Sequence, residues 1–336
     1  PRILRGLFAG EDGHWEERVV QRLRPEIHYF APSTWLSETQ QVDCVTDALH
    51  HLPRPAILYV TEKRKAEWWL DRTSKFGFKR VASFHGDTAP RQREAIMRLW
   101  REDKLDLIVA TSAFGLGVDK RDVRAVVHAC YPEGIDRFYQ EVGRGGRDGA
   151  PSISLLAPTK RDALVAKRMG ARLLSDEDKV NGRWLAMWNT REQDVAGDEY
   201  RIRLDTQPEY RLGTRTYSEN VRWNKRLLLM MERARLIQIN GMLRVPRDDG
   251  ALPAEYAIVQ AKVSTVELQY HIANKVKEQR SRERNSTEQS LQRLSAFFSR
   301  ERPICRQLRD HYGPETVRAC GSCFQCRSGM VVPQIG

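Results

Sequence analysis

Short apolar runs alternate along this chain with longer amphipathic stretches. "AILYV", "KRVASFH", "LDLIVAT", "RAVVHAC" and "PSISLLAP" are brief and rich in Val, Ile and Ala, the pattern of buried strands. Between them lie "KRKAEWWLDRTSKF", "PRQREAIMRLWRED" and "IDRFYQEVGRG", whose apolar positions keep helical spacing. Strands alternating with helices predict βαβ units around a parallel sheet, here an α/β lobe over residues 51–158. Upstream, "LRPEIHYFAP" predicts a short strand. Ser37 is placed to cap a helix over "ETQQVDCVTDALHHL", where Val42, Val45 and Leu49 fall on one side. Residues 1–50 are expected to hold the end of a preceding lobe or linker and the first helix of this one.

Past Pro158 the period changes. A helical stretch runs on to Thr190, with Ser175 and Asp178 at capping-box spacing. "DEYRIRLDT" predicts a short strand, and Ser218 can cap a helix over "ENVRWNKRLLLMMERARL". "IQINGMLRVP" and "AEYAIVQAKV" then read as two strands. Helix, helix and hairpin outline a winged helix within an accessory region, 159–270; a plain helical region with a hairpin is the other reading. Residues 271–336 open with an amphipathic helix or helix pair, apolar at Leu291, Leu294, Phe297 and Phe298. Its surplus of basic residues suits a solvated face or a nucleic-acid face.

Composition narrows the function classes. The 336 residues suit more than one domain, and 40% hydrophobic with 30% charged residues describes a globular rather than a disordered chain. No apolar run approaches the ~20 residues of a membrane span, and no signal peptide is visible, so no membrane partner is expected. The first residue is Pro1, which reads as the start of a fragment. A net charge of +12 and a pI near 9.6 favour a polyanion as partner. Cys44 and Cys130 stand alone in apolar contexts and read as packing residues.

Chemistry concentrates in three loops, each following a predicted strand: "FHGDTAPRQREAI", "VATSAFGLGVDK" and "YQEVGRGGRDGAP". All are rich in Gly, hydroxyls and cations, and a parallel sheet brings them to one edge, where such sheets bind ligands. The last loop sets Arg144 and Arg147 among Gly143, Gly145, Gly146 and Gly149. Guanidinium forks suit phosphate oxygens, and glycines let a backbone approach closely.

Together these stretches resemble motifs IVa, V and VI of superfamily 2 helicases, most nearly those of the RecQ family of DNA helicases, over about residues 55–158. The resemblance implies a RecA-like lobe. It implies that Arg144 and Arg147 reach the ATP γ-phosphate, with Arg147 as the arginine finger. Gln140, Asp119, Gly117 and Gly143 would border the nucleotide, Asp119 near the ribose. Thr111, Ser112, His85, Arg93 and Lys63 would line a nucleic-acid face, although His85 also reads as a turn histidine and Arg93 as an exposed helix arginine.

No G-K-[ST] phosphate loop and no DExH-type acidic pair occur in the sequence. The resemblance therefore implies a first lobe upstream of Pro1. ATP with Mg²⁺ would be held jointly with it, and the fragment alone would be inactive. A RecQ-like helicase would unwind DNA 3′–5′, engage single strands or duplex junctions, and reside in a bacterial cytoplasm or nucleoid. An RNA helicase of the same superfamily, or a non-catalytic nucleic-acid platform, are the alternatives.

Cys305, Cys320, Cys323 and Cys326 follow a C-x14-C-x2-C-x2-C pattern. Four thiolates can close a tetrahedral Zn²⁺ site; the close spacing also suits an iron–sulfur cluster. His311 is a substitute ligand. The pattern is similar to the zinc module of RecQ helicases, including the "CGSCFQC" ending. There, however, the zinc module follows the second lobe closely and precedes the winged helix. Here the whole stretch from Thr159 to Ile304 intervenes.

Overall fold

A computed structural model describes residues 23–115, 119–171, 177–193, 199–208, 217–246, 253–263, 272–299, 303–313 and 323–328. Its first unit is an alternating series: β1 (Ile27–Phe30), α1 (Glu38–His51), β2 (Ala56–Tyr59), α2 (Lys63–Lys75), β3 (Val81–Phe84), α3 (Pro90–Arg101), β4 (Leu107–Ala110), β5 (Ala125–His128), α4 (Ile135–Val142) and β6 (Ser152–Leu156). The strands form one parallel sheet in the order β1-β6-β5-β2-β4-β3. Every strand expected from the apolar runs is present. The helix expected through "IDRFYQEVGRG" stops at Val142, where the glycine run begins. The strand read ahead of Pro32 is β1, which pairs with β6 and so belongs to this sheet.

Alternate residues of each strand feed opposite cores. Ile57, Tyr59, Ile108, Ala110 and Val126 face one core, which α3 and α4 close with Trp100, Ile135 and Phe138. Ala56, Leu58, Leu107, Val109 and Val127 face the other, closed by Val45 and Leu49 of α1 and Trp69 of α2. Burial on both faces is what near-continuous apolar strands require. The α1 start is fixed by a capping box: the Ser37 hydroxyl accepts from Gln40 N at 3.2 Å, and Ser37 N donates to Gln40 Oε1 at 2.9 Å.

The chain then runs through α5 (Lys160–Ala171) and α6 (Glu177–Asn189), with Ser175 outside the described residues. β7 (Glu192–Gln193), β8 (Glu199–Arg203), α7 (Tyr217–Arg233), β9 (Ile237–Val245) and β10 (Ala254–Ala261) follow. Helix α7 already includes Ser218, so the expected cap is not at that residue; residues 209–216 lie outside the described residues. The hairpin β9–β10 forms as expected. Between the two helices lie β7 and β8, and β8 joins the hairpin in a four-stranded antiparallel sheet, order β7-β8-β10-β9. This sheet and α6 and α7 enclose a separate core around Trp184, Trp188, Leu227 and Met231. Inside it Arg183, 3% exposed, donates to Asn224 Oδ1 at 2.9 Å, and Asn224 Nδ2 donates to the carbonyls of Leu204 and Thr206, both at 2.8 Å.

One long helix, α8 (Ile272–Ser299), returns to the first unit. Its start buries Ile272 and Val276 in the accessory core; its end buries Leu294 and Phe297 in the core of the lobe. There α9 (Ile304–Tyr312) and the short α10 (Phe324–Arg327) pack Cys305, Cys323 and Cys326 against the lobe. Arg327 lies 4.3 Å from the Phe30 ring centroid and donates to Tyr29 O at 3.3 Å. The cysteine segment is thus distant from the lobe in sequence and adjacent to it in space.

Candidate nucleotide and nucleic-acid site

The carboxyl ends of β2, β3 and β4 lead to Lys63, His85 and Thr111, so the first two predicted loops share one edge. The glycine run does not follow a strand as expected but lies between α4 and β6, where Gly146 N donates to Val123 O at 2.9 Å and Asp148 N to Arg121 O at 3.1 Å, ahead of β5. The loop after β4 is held by its carbonyls. Arg137 Nη2 donates to Ser112 O at 2.5 Å, Tyr59 OH to Phe114 O at 3.1 Å, and Arg144 Nη2 to Gly115 O at 2.8 Å. Burial pushes the Tyr59 phenol up, with Arg144 pulling in the opposite direction, so Tyr59 stays a neutral donor. Arg137 is itself set by Glu141: its Nε donates to Glu141 Oε1 at 2.7 Å, while Glu141 Oε2 lies 3.0 Å from His128 Nε2. His128 and Glu141 are buried, and His128 stacks on Tyr59 at 5.3 Å. The loop and the arginine-bearing helix α4 are therefore one bonded assembly.

The two arginines of the glycine run differ. Arg144 is committed to Gly115 O, and its Nε is buried without a hydrogen-bond partner. Gly115 tolerates this because a Cβ there would sit 3.3 Å from Arg144 Nη2. Arg147 lies at the surface, paired with Asp119 Oδ1 at 2.8 Å, and Asp119 is 76% exposed. The glycines have steric work: a Cβ at Gly145 would meet Ser152 Oγ at 2.1 Å, and Gly146 has φ +59. Arg24, outside the motif, staples the run by donating to Gly143 O at 2.8 Å and Gly146 O at 2.5 Å. Gln140 is exposed on the same helix, and Gly117 lies outside the described residues.

Among the residues expected on a nucleic-acid face, Ser112 is exposed and Thr111 is buried, its N donating to Phe84 O at 3.0 Å. Lys63 is half-exposed, 3.4 Å from Asp87 and 3.8 Å from Glu67. Arg93 is neither a bare helix arginine nor a free cation: its guanidinium donates to Thr88 O at 2.7 Å and Gly86 O at 2.5 Å, pinning the turn after β3. His85 N donates to Thr88 Oγ1 at 3.0 Å, as a turn histidine would, while its Nδ1 is buried without a partner. Sequence reading missed Arg24, Arg137, Glu141 and His128. The four-residue spacing of Arg137 and Glu141 was the available signal.

In the cysteine segment, the Sγ atoms of Cys305, Cys323 and Cys326 all lie within 4.8 Å of one another, and Cys305 and Cys326 are 3.7 Å apart. Four thiolates at a Zn–S distance of ~2.3 Å sit about 3.8 Å apart in a tetrahedron, so the donor set fits such a metal. Cys320 lies outside the described residues. His311 does not join the group; its Nε2 is 3.1 Å from Asp136 Oδ1 and its Nδ1 is 3.0 Å from Arg293 Nη1.

Residues 40–149 match the helicase conserved C-terminal domain family. The chain is 33% identical over 144 residues to the ATP-dependent DNA helicase Q-like 4B of Arabidopsis thaliana, covering 41% of this chain and 12% of that protein. It is 35% identical over 117 residues to the probable ATP-dependent DNA helicase RecS of Bacillus subtilis, 35% of this chain and 24% of that one. It is 42% identical over 103 residues to the ATP-dependent helicase wrn-1 of Caenorhabditis elegans, 31% and 10%. The yeast DEAD-box splicing factor Prp28 overlaps 50% of this chain and 38% of its own, at a TM-score of 0.39 and 19% identity. The lobe thus matches the helicase conserved C-terminal domain and is similar to the corresponding part of RecQ-like DNA helicases. The chain spans only a small part of the length of each relative.

Proposed function

We propose that this chain is the second motor lobe and C-terminal region of an ATP-dependent RecQ-like DNA helicase. The observation that carries the reading is the division between its two arginines. Arg147 is exposed at the loop edge and tied only to an exposed carboxylate and, at 3.3 Å, to Gly143 O. It can leave Asp119 for a phosphoryl oxygen when a first lobe closes over it. Arg144 acts as a positioning residue that ties the loop after β4 to the arginine segment. Through Arg137 and Arg144, a DNA phosphate at Ser112 and a nucleotide at Arg147 bear on one rigid assembly, which is what coupling strand grip to hydrolysis requires. Asp119, Gln140, Gly117 and Gly143 border the nucleotide; Ser112, Thr111, Lys63, His85 and Arg93 form or support the strand face.

Mg²⁺ would accompany ATP on the first lobe, and no residue of this chain is assigned to it. The 336-residue chain by itself is expected not to hydrolyse ATP, because it lacks a G-K-[ST] loop and a DExH pair. The substrate is DNA, as a single strand or duplex junction, unwound 3′–5′, within a bacterial cytoplasm or nucleoid. Cys305, Cys323 and Cys326, with Cys320, would hold one structural Zn²⁺ that locks α9 and α10 to the lobe. The 3.7 Å thiol separation supports a single ion over a larger cluster.

The test is DNA-stimulated ATPase activity of the parent polypeptide. Arg147→Ala should lower turnover by about 10³-fold while DNA binding persists. Unchanged turnover would reassign the phosphate contact to another arginine.

A further inference from the structure

The opposite edge of the lobe's sheet carries a second cationic feature. Arg54 precedes β2, Lys79 and Arg80 precede β3, and Asp106 precedes β4, all at the amino ends of the strands. With His50 and Phe76 they line a recess of about 250 Å³ open to solvent. Arg80 is partly neutralised by Asp106 at 3.6 Å, while Lys79 has no ion pair among the described residues. The walls are planar groups in series. Arg54 lies 4.4 Å from the Phe78 ring, His50 is 5.2 Å from Phe78 and 6.2 Å from Phe76, and Arg72 is 5.0 Å from Phe76 and 5.2 Å from Trp68. Trp68 is 45% exposed and Phe76 42%.

Part of this has a local explanation. The last turns of α1 and α2 point here, and His50, Arg72 and Lys75 offset their carbonyl ends. Arg54 caps in this way too, donating to Leu49 O at 2.8 Å. That account does not reach Lys79, nor two large aromatic rings left in water. Half-exposed aromatics interleaved with cations are what a single-stranded polynucleotide stacks on, bases on the open ring faces and phosphates on cations, without sequence preference. An acidic peptide would satisfy the cations but leave the ring faces unused.

We propose that Trp68, Phe76, Lys79 and Arg80 form a second single-strand binding track running from α2 to the amino end of β3, at the other end of the strands from the loop that carries Ser112. The proposal deepens the nucleic-acid reading above and rests on it. The track would hold a strand segment beyond the one gripped at Ser112, adding affinity for longer single strands.

The test is anisotropy of a fluorescein-labelled twelve-nucleotide oligothymidine titrated with the 336-residue chain across a salt series. A Phe76→Ala, Lys79→Glu double variant should weaken binding about tenfold, with a salt slope smaller by about one for the lost cation. Trp68→Ala, at a half-exposed position, should weaken binding without altering the salt slope. Lys63→Glu serves as control on the other face. If Lys63→Glu weakens binding and the double variant does not, the second track is wrong and the motor face stands. If the unaltered chain ignores the oligonucleotide, both readings fall. Tighter binding of a poly-glutamate peptide than of the oligonucleotide would overturn the assignment in favour of a protein partner.

Discussion

The lobe and the accessory unit use arginine in opposite ways. In the lobe, Arg24, Arg93, Arg137 and Arg144 each reach from a helix or strand end to a loop carbonyl. They shape loops that have no regular structure of their own, and the loops carry the chemistry. In the accessory unit Arg183 is sealed inside the core among amides. It fixes how α6 sits on α7 and shapes nothing at the surface. Loop geometry in the first unit is therefore separable from folding, while polar contacts in the second are part of folding.

The largest expected effect lies where the two units are tied back together. On the proposed zinc reading, Cys326→Ser should abolish metal binding, seen as about one zinc per chain in the unaltered protein and none in the variant by atomic emission. It should cost on the order of 4 kcal/mol or more in the lobe's unfolding. Phe297→Ala empties a site in the lobe core at the far end of α8, for a loss of about 3 kcal/mol by urea denaturation. If the accessory unit unfolds separately, its transition should not move. Arg183→Met should do the reverse, costing the accessory transition about 2 kcal/mol by stranding Asn220 and Asn224, with the lobe unchanged. A shift of both transitions by either variant would show that the units fold as one.

Effects no larger than that sharpen the lobe's side of the contrast. Arg137→Ala frees Ser112 O and takes the guanidinium from the buried Glu141 carboxylate, so it should cost about 2 kcal/mol of stability. It should also weaken the dependence of DNA affinity on nucleotide in the parent polypeptide. The least effect at neutral pH belongs to Asp148, whose carboxyl is held well below the usual range by hydrogen bonds from Arg124. A depressed folded pKa gives stability that is present above the unfolded value, ~3.9, and is lost as pH falls through the folded one. Asp148→Asn should thus lower Tm slightly at pH 7, and the gap should close only below about pH 4.

The lobe was legible because its information is local. Strand burial on both faces gives unbroken apolar runs, and each loop carries Gly where the backbone must come close, as at Gly145 and Gly146. The staples were not legible. Arg24 meets Gly143 across a hundred residues of chain, and nothing near Arg24 in sequence announces a partner. Nor did the pattern show α8 to be one helix of 28 residues rather than a pair. Its apolar ends serve different cores, so no single stripe runs its length. The displaced cysteines looked like a rearranged order. In space they return to β1 and α9 packs beside α4, because α8 carries the chain back across the accessory unit.

That return has a mechanical side. Helix α4 begins at Gly134, which has no side chain with which to cap its own helix. Ser290 of α8 fills the place, its hydroxyl accepting from Ile135 N at 3.1 Å, and a Cβ on Gly134 would collide with it at 2.3 Å. From Leu294 in one core to Val276 in the other, a helix rising 1.5 Å per residue covers about 27 Å. A tilt of about ten degrees at the Ser290 fulcrum would sweep the accessory end through about 5 Å. The residue that caps α4 therefore also sets where the far end of α8 stands: a small change of angle at Ser290 is a large displacement at the start of the helix, where Ile272 and Val276 enter the accessory core.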